Sequence, residues 1–188
     1  MKNLKNIAIA LFISAATVVS AQTKKINAEK STISWVGKKV TGSHSGTINV
    51  KSGDLVFKGD KLIGGSFVVD ATSITVTDLK TGQGKENLEG HLKAGDFFGV
   101  EKYPTANLVF TSVSNKGNGV YAVKANLTIK DKTNPLSFDL ATTTKTANTA
   151  FKVDRTKYGI EYNSGNFFQN LGDKAIYDDF ELTVSLQY

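Results

Sequence analysis

The sequence predicts an all-β fold of antiparallel strands, closed as a barrel or layered as a sandwich. One observation is strict alternation: Tyr121, Val123, Ala125, Leu127 and Ile129 are interleaved with Ala122, Lys124, Asn126 and Thr128. This period of two puts one side of a segment toward a core and the other toward water, as in an antiparallel sheet. Another is the number of short segments of this kind separated by Gly, Asn or Asp, which argues for a sandwich or a barrel. No internal repeat or low-complexity linker interrupts them.

The strands predicted in order are residues 32–40, 46–50, 54–57, 65–77, 106–113, 121–129, 136–140, 150–154 and 180–186. Ser52-Gly53-Asp54, Lys58-Gly59-Asp60 and Asn115-Lys116-Gly117-Asn118-Gly119 read as hairpin connections, because Gly and Asn tolerate positive φ. Two stretches break the pattern. Leu88 and Leu92 lie one helical turn apart, which predicts a short helix starting near Glu86, limited by Gly90 and Gly95. Residues 158–173 are rich in Gly and Asn yet contain Phe167-Phe168. Both stretches are expected to cover an end or side of the sheet.

At the N-terminus, Lys2 and Lys5 precede an apolar run from Ile7 to Val19, and Val19-Ser20-Ala21 places small residues before Gln22. This pattern predicts a secretory signal peptide over residues 1–21, cleaved to leave one domain over 22–188 that ends up periplasmic or secreted. The run is shorter than the roughly 20 apolar residues a spanning helix needs. The chain has no cysteine, so an exported domain must be held by its core without disulfides. Its formal charge of +6, or +4 once Lys2 and Lys5 are removed, is supplied almost wholly by scattered lysines. No arginine-rich run or nucleic-acid motif accompanies that charge, so nucleic acid is not an expected partner. A transient contact with an anionic membrane surface is compatible with it.

His44 and His91 are the two histidines, and they share no metal-ligand spacing. No metal site is therefore expected, and His91 is assigned to the barrel interior or to a local backbone bond, with Asp96 accepting amides of the next turn. A weak hydrolase is the third-ranked function, since no G-x-S-x-G element brings a nucleophile, base and carboxylate together. Gly82-Gln83-Gly84-Lys85 lacks the full phosphate-loop pattern and reads as a flexible lead into the helix. Arg155, the sole arginine, has two readings: a fork for a phosphate or carbonyl headgroup, or an ion pair tying a strand to a loop.

His91-Leu92-Lys93-Ala94-Gly95-Asp96-Phe97-Phe98 followed by Glu101-Lys102-Tyr103-Pro104-Thr105-Ala106 resembles the H-L-x-S-x-D-F-F and K-Y-P-x-A segment of YceI-like proteins. Further similar elements occur in the family's order. They are Ile33-Ser34-Trp35-Val36, Gly42-Ser43-His44-Ser45-Gly46-Thr47-Ile48, Asp70-Ala71-Thr72-Ser73-Ile74, and the run Ala125 to Leu136 with its L-T-I and Asn134-Pro135. Asp154-Arg155-Thr156-Lys157-Tyr158-Gly159-Ile160 and Ile176-Tyr177-Asp178-Asp179-Phe180-Glu181-Leu182 complete the series. Asn126 and Asp131 stand where the family's hairpin carries Gly. Lys38-Lys39 occupies the place of its early histidine, with His44 later.

That resemblance implies a lipocalin-like antiparallel β-barrel around an apolar tunnel, with a short helix and a covering loop. It implies a binder of an isoprenoid lipid, of quinone or polyprenyl phosphate type, and not an enzyme. On that reading Trp35, Phe67, Phe97, Phe98, Tyr103, Phe110, Phe138, Phe167 and Phe168 line the tunnel, while Lys39, His44, His91 and Arg155 are candidates for the mouth or headgroup. No cofactor is expected beyond a bound isoprenoid lipid. The alternative is a dry-core barrel serving interaction or stress, since core packing explains each aromatic equally well. Unpaired strand edges would also let two copies form a homodimer.

Overall fold

The computed structural model describes residues 20–188, so the signal-peptide expectation for residues 1–21 lies almost wholly outside the described residues. Among the described residues there are nine strands: β1 (Ala21–Lys25), β2 (Thr32–Lys39), β3 (Gly42–Lys58), β4 (Lys61–Val76), β5 (Thr105–Gly117), β6 (Val120–Ile129), β7 (Lys132–Thr142), β8 (Thr146–Asp154) and β9 (Ile176–Gln187). All strand pairings are antiparallel. Strands β2 to β9 follow the ring β3-β2-β9-β8-β7-β6-β5-β4 and close through β3–β4, giving an eight-stranded barrel. β1 extends the ring locally by pairing with residues 54–58 of β3. The α-helix α1 (Lys85–Lys93) starts one residue before the predicted position.

The expected hairpin at Ser52-Gly53-Asp54 is instead the middle of β3, a single strand of 17 residues. The register against β4 slips between Val50 and Ser52, so the bulge lies at Lys51, and Gly53 pairs in register with Phe67 inside the strand. The absent side chain of Gly53 answers to packing, because a Cβ there would sit 2.5 Å from the Phe67 ring. Chain reversal at Gly59 and at Asn118-Gly119 occurs as predicted, with φ of 58° at Gly59, 51° at Asn118 and 75° at Gly119. The β6–β7 hairpin turns on Lys130 and Asp131, both left-handed at φ 49° and 60°.

Inside the barrel the apolar side chains form two clusters. One gathers Leu55, Phe57, Leu62, Tyr121, Val123, Leu140 and Leu186, and the other gathers Trp35, Ile74, Val76, Leu92, Phe97, Ile129, Tyr158 and Ile160. Ile48, Leu108 and Leu182 pack against both and stay half-buried. Gly46 positions the second cluster: a Cβ on it would collide with the Thr75 carbonyl and come within 2.6 Å of the Trp35 indole. Gly46→Ala is therefore expected to lower stability by about 1–3 kcal/mol, the cost of overpacking a core, measurable as a shifted urea midpoint with unchanged slope.

Candidate functional site

The half-buried residues point to the site. Along β9, Phe180, Leu182 and Val184 occupy alternating positions of one face yet are not fully buried, although Leu186 at the end is. Inward apolar side chains that keep accessible surface must border an internal void. They line a cavity of about 200 Å³, walled by Ile33, Ile48, Val50, Val69, Leu108, Phe110, Leu127, Phe151, Phe180, Leu182 and Val184 among others. Such a wall accepts an apolar chain without demanding a buried polar partner.

Of the predicted tunnel residues, Trp35, Phe67, Phe97, Phe98, Tyr103, Phe110 and Phe138 line this cavity. Phe67, Phe110, Phe138 and Phe151 form a continuous aromatic run across four strands, with centroid separations of 5.6, 6.0 and 4.9 Å. Phe167 and Phe168 are a correction: they do not join the wall but sit on the 161–175 loop, 53% and 49% exposed. Backbone bonds from both their amides to the Ser164 carbonyl, at 3.1 and 2.9 Å, hold them on the outside of the rim.

The β7–β8 wall is unusual. Only Ala141↔Asn148 and Thr142↔Ala147 are paired there, whereas β8 pairs with β9 over its whole length. Beyond those two pairs the wall is closed by side chains: Phe138 stacks on Phe151 at 23°, and the Thr149 hydroxyl donates to the Asp139 carbonyl at 2.7 Å.

One end of the cavity is covered by the segment from α1 to Tyr103, which contributes Leu92, Phe97, Phe98 and Tyr103. Two contacts fasten this cover. Lys130, carried on its left-handed turn, donates from Nζ to the Gly95 and Phe97 carbonyls at 2.9 and 2.7 Å. Glu89 accepts from the Thr75 hydroxyl and, at 2.8 Å, from the Val76 amide, fixing α1 to β4. These bonds hold the Glu89 carboxyl below the usual carboxylate range, the Thr75 hydroxyl contributing most. Because the folded-state value is depressed, the contribution is complete above the unfolded-state pKa and is lost as pH falls through the folded one. Wild type should therefore lose more stability than Glu89→Gln on acidification below the ordinary carboxylate range, measured by thermal melts; parallel curves would remove Glu89 from that role.

The mouth candidates separate. Arg155 is 2% exposed and borders the cavity, with Nε donating to the Tyr177 carbonyl at 3.1 Å, Nη1 to Ile160 at 2.7 Å and Nη2 to Ile176 at 3.0 Å. Its carboxylate partner is Asp178 at 3.5 Å rather than the adjacent Asp154, and Phe97 lies under it at 5.8 Å. Burial lowers its pKa, an effect opposed by Asp178 and then Asp154. These bonds match the ion-pair reading, a staple between the strand-end turn and β9. Lys39, opposite Ile176, and His44, with Nδ1 2.9 Å from Asp78, are not part of the cavity wall. His91 and Asp96 bond each other at 3.2 Å, correcting the expectation of separate backbone partners, and the His91 ring meets Phe97 and Tyr162 edge-on. Sequence reasoning missed Lys130 and Asp179 at the mouth and the aliphatic wall. Among the described residues no three His, Cys, Asp or Glu side chains converge as a metal site.

Comparison with known proteins agrees with this geometry. The family model of the YceI-like domain matches residues 25–188. A UPF0312 protein of Shewanella sp. (strain ANA-3) is 32% identical over 65 residues, covering 35% of this chain and 34% of that protein, so the match spans about a third of that relative's length. Among solved structures, BcnA of Burkholderia cenocepacia superposes with a TM-score of 0.66 at 18% identity, covering 87% of this chain and 99% of that one. A polyisoprenoid-binding domain from Saccharophagus degradans gives 0.62 at 14% identity, covering 87% and 96%. At these identities the structural likeness concerns the fold.

Proposed function

Because the chain belongs to the YceI-like family, whose domain is a binding fold, we propose that it is an exported carrier that holds the tail of an isoprenoid amphiphile in its barrel. The observation that supports this most directly is the inward apolar wall that stays half-buried around a void, where a dry core would be packed shut. The cargo is an isoprenoid quinone or a polyprenyl phosphate, and the polar groups bordering the mouth that would meet its head are Lys130 and Asp179, Arg155 being committed to its three carbonyls and Asp178. The mechanism is sequestration: the strands supply the wall, and the cover latched by Lys130 and Glu89 guards access. The site of action on this reading is the periplasm or the cell exterior, following cleavage after Ala21.

The test is to purify the protein from a bacterial periplasm without detergent, extract it with organic solvent and identify bound lipid by mass spectrometry. One isoprenoid at near-equal molar amount is the expected result and names the cargo. A folded protein that carries none and gains no thermal stability from added quinones or polyprenyl phosphates would overturn the proposal, because a ligand at a hundred times its dissociation constant should add about 2.7 kcal/mol.

A further inference from the structure

Seven large apolar side chains stand exposed among the described residues, and five of them, Val40, Tyr162, Phe167, Phe168 and Tyr177, lie at one end of the barrel. They come from three separate segments that the fold brings together. The Val40 amide donates to the Ala175 carbonyl at 3.1 Å, tying the β2–β3 turn to the 161–175 loop. Ser164 forms a bridge with Ile176, and Asn166 Nδ2 donates to Asp178 at 2.6 Å, tying the same loop to the start of β9. Tyr162 reaches the cavity cover through His91, ring centroids 4.5 Å apart.

This end is also the mouth. Gly37, Ile176, Tyr177 and Asp179 border the cavity, so Tyr177 belongs both to the exposed patch and to the opening. We propose that this aromatic rim docks the barrel, mouth first, on the surface of a lipid bilayer. The proposal rests on the lipid-carrier reading for its purpose: an isoprenoid tail is too insoluble to reach the cavity through water, so the opening must meet the membrane that holds it. Aromatic rings at the headgroup level are the side chains that tolerate such an interface.

Charge decides the character of the contact. The chain is basic overall, and Lys39 and Lys174 adjoin the patch, but Asp173 and Asp179 do too, while Asp178 is engaged by Arg155 and Asn166. A mixed rim attracts anionic lipid only weakly. Docking is therefore carried by insertion of Phe167 and Phe168 and changes little with salt, unlike a polybasic surface, whose attraction is screened within about 8 Å at physiological ionic strength.

The experiment is flotation of the periplasmic protein with vesicles of phosphatidylcholine and phosphatidylglycerol, at low and physiological salt. Wild type should float at both, and the double variant Phe167→Ser/Phe168→Ser should bind at least tenfold more weakly with an unchanged melting temperature. Ile63→Ser/Val109→Ser, which removes exposed apolar side chains elsewhere on the barrel, should float like wild type. Wild type that fails to float, or a rim variant that floats as well as wild type, overturns the docking surface. So does rim-dependent dimerisation without vesicle binding, which would assign the patch to a second copy. Titration with a water-soluble short-chain isoprenoid, in the absence of vesicles, separates the two proposals: if it fails while flotation survives, the carrier reading falls and the docking surface stands.

Discussion

Arg155→Met is expected to lower unfolding free energy by about 3–5 kcal/mol, the scale for removing one partner of a buried ion pair. The side chain it replaces is almost fully buried and serves three backbone carbonyls and the Asp178 carboxylate at once. Methionine fills much of the volume but leaves the Ile160, Ile176 and Tyr177 carbonyls without their donor, each a desolvation cost of about 1–3 kcal/mol. These costs overlap, because water that reaches one carbonyl relieves its neighbours. Arg155→Lys keeps the charge but offers a point donor instead of a planar fork, so it should fall between wild type and methionine. Urea denaturation of the three proteins checks this order; a methionine variant within about 1 kcal/mol of wild type would sink the staple. Lipid titration of the lysine variant completes the comparison. A headgroup fork would lose affinity out of proportion to stability, whereas a staple loses both together.

The two readings of Arg155 were open in the sequence because its partner lies 23 residues away at Asp178, and the nearer carboxylate, Asp154, instead caps the turn through Thr156. Local neighbours suggest a pair but do not name it. Strands were legible where alternation was strict: β6 occupies Val120–Ile129 against a prediction of 121–129. β1 was not foreseen, because Ala21 to Lys25 has no alternating apolar residues and is held by backbone pairing to β3. Gly53 misled because glycine marks turns and also strand positions where another group packs close, and it is the Phe67 ring above it that excludes a side chain here.

The candidate site divides the same way. The tunnel residues came from the family resemblance: those on strands, such as Phe110 and Phe138, and those on the cover, Phe97 and Phe98, line the wall, whereas Phe167 and Phe168 lie on a loop where no periodicity assigns a side. Phe180, Leu182 and Val184 were readable as inward positions of β9 but not as cavity wall. A dry core and a hollow one demand the same inward apolar residues, and they differ only in whether opposite walls touch.

That difference is what Leu108→Trp measures. Leu108 packs against both apolar clusters, borders the cavity and stays half-buried, so it stands at the waist where the two clusters approach. In a hollow barrel the larger indole enters space already present, and the ligand-free protein should melt at or above the wild-type temperature. The tail is then excluded, and isoprenoid affinity should fall at least tenfold, about 1.4 kcal/mol. In a dry barrel the same substitution overpacks a closed core and costs about 1–3 kcal/mol with no binding to lose. The two outcomes have opposite signs in stability, so a melting curve of the ligand-free variant decides between them before any lipid is added. Lipid titration then reports whether the space that accepted the indole is the space the tail requires, since a tail bound elsewhere would leave the affinity of Leu108→Trp unchanged.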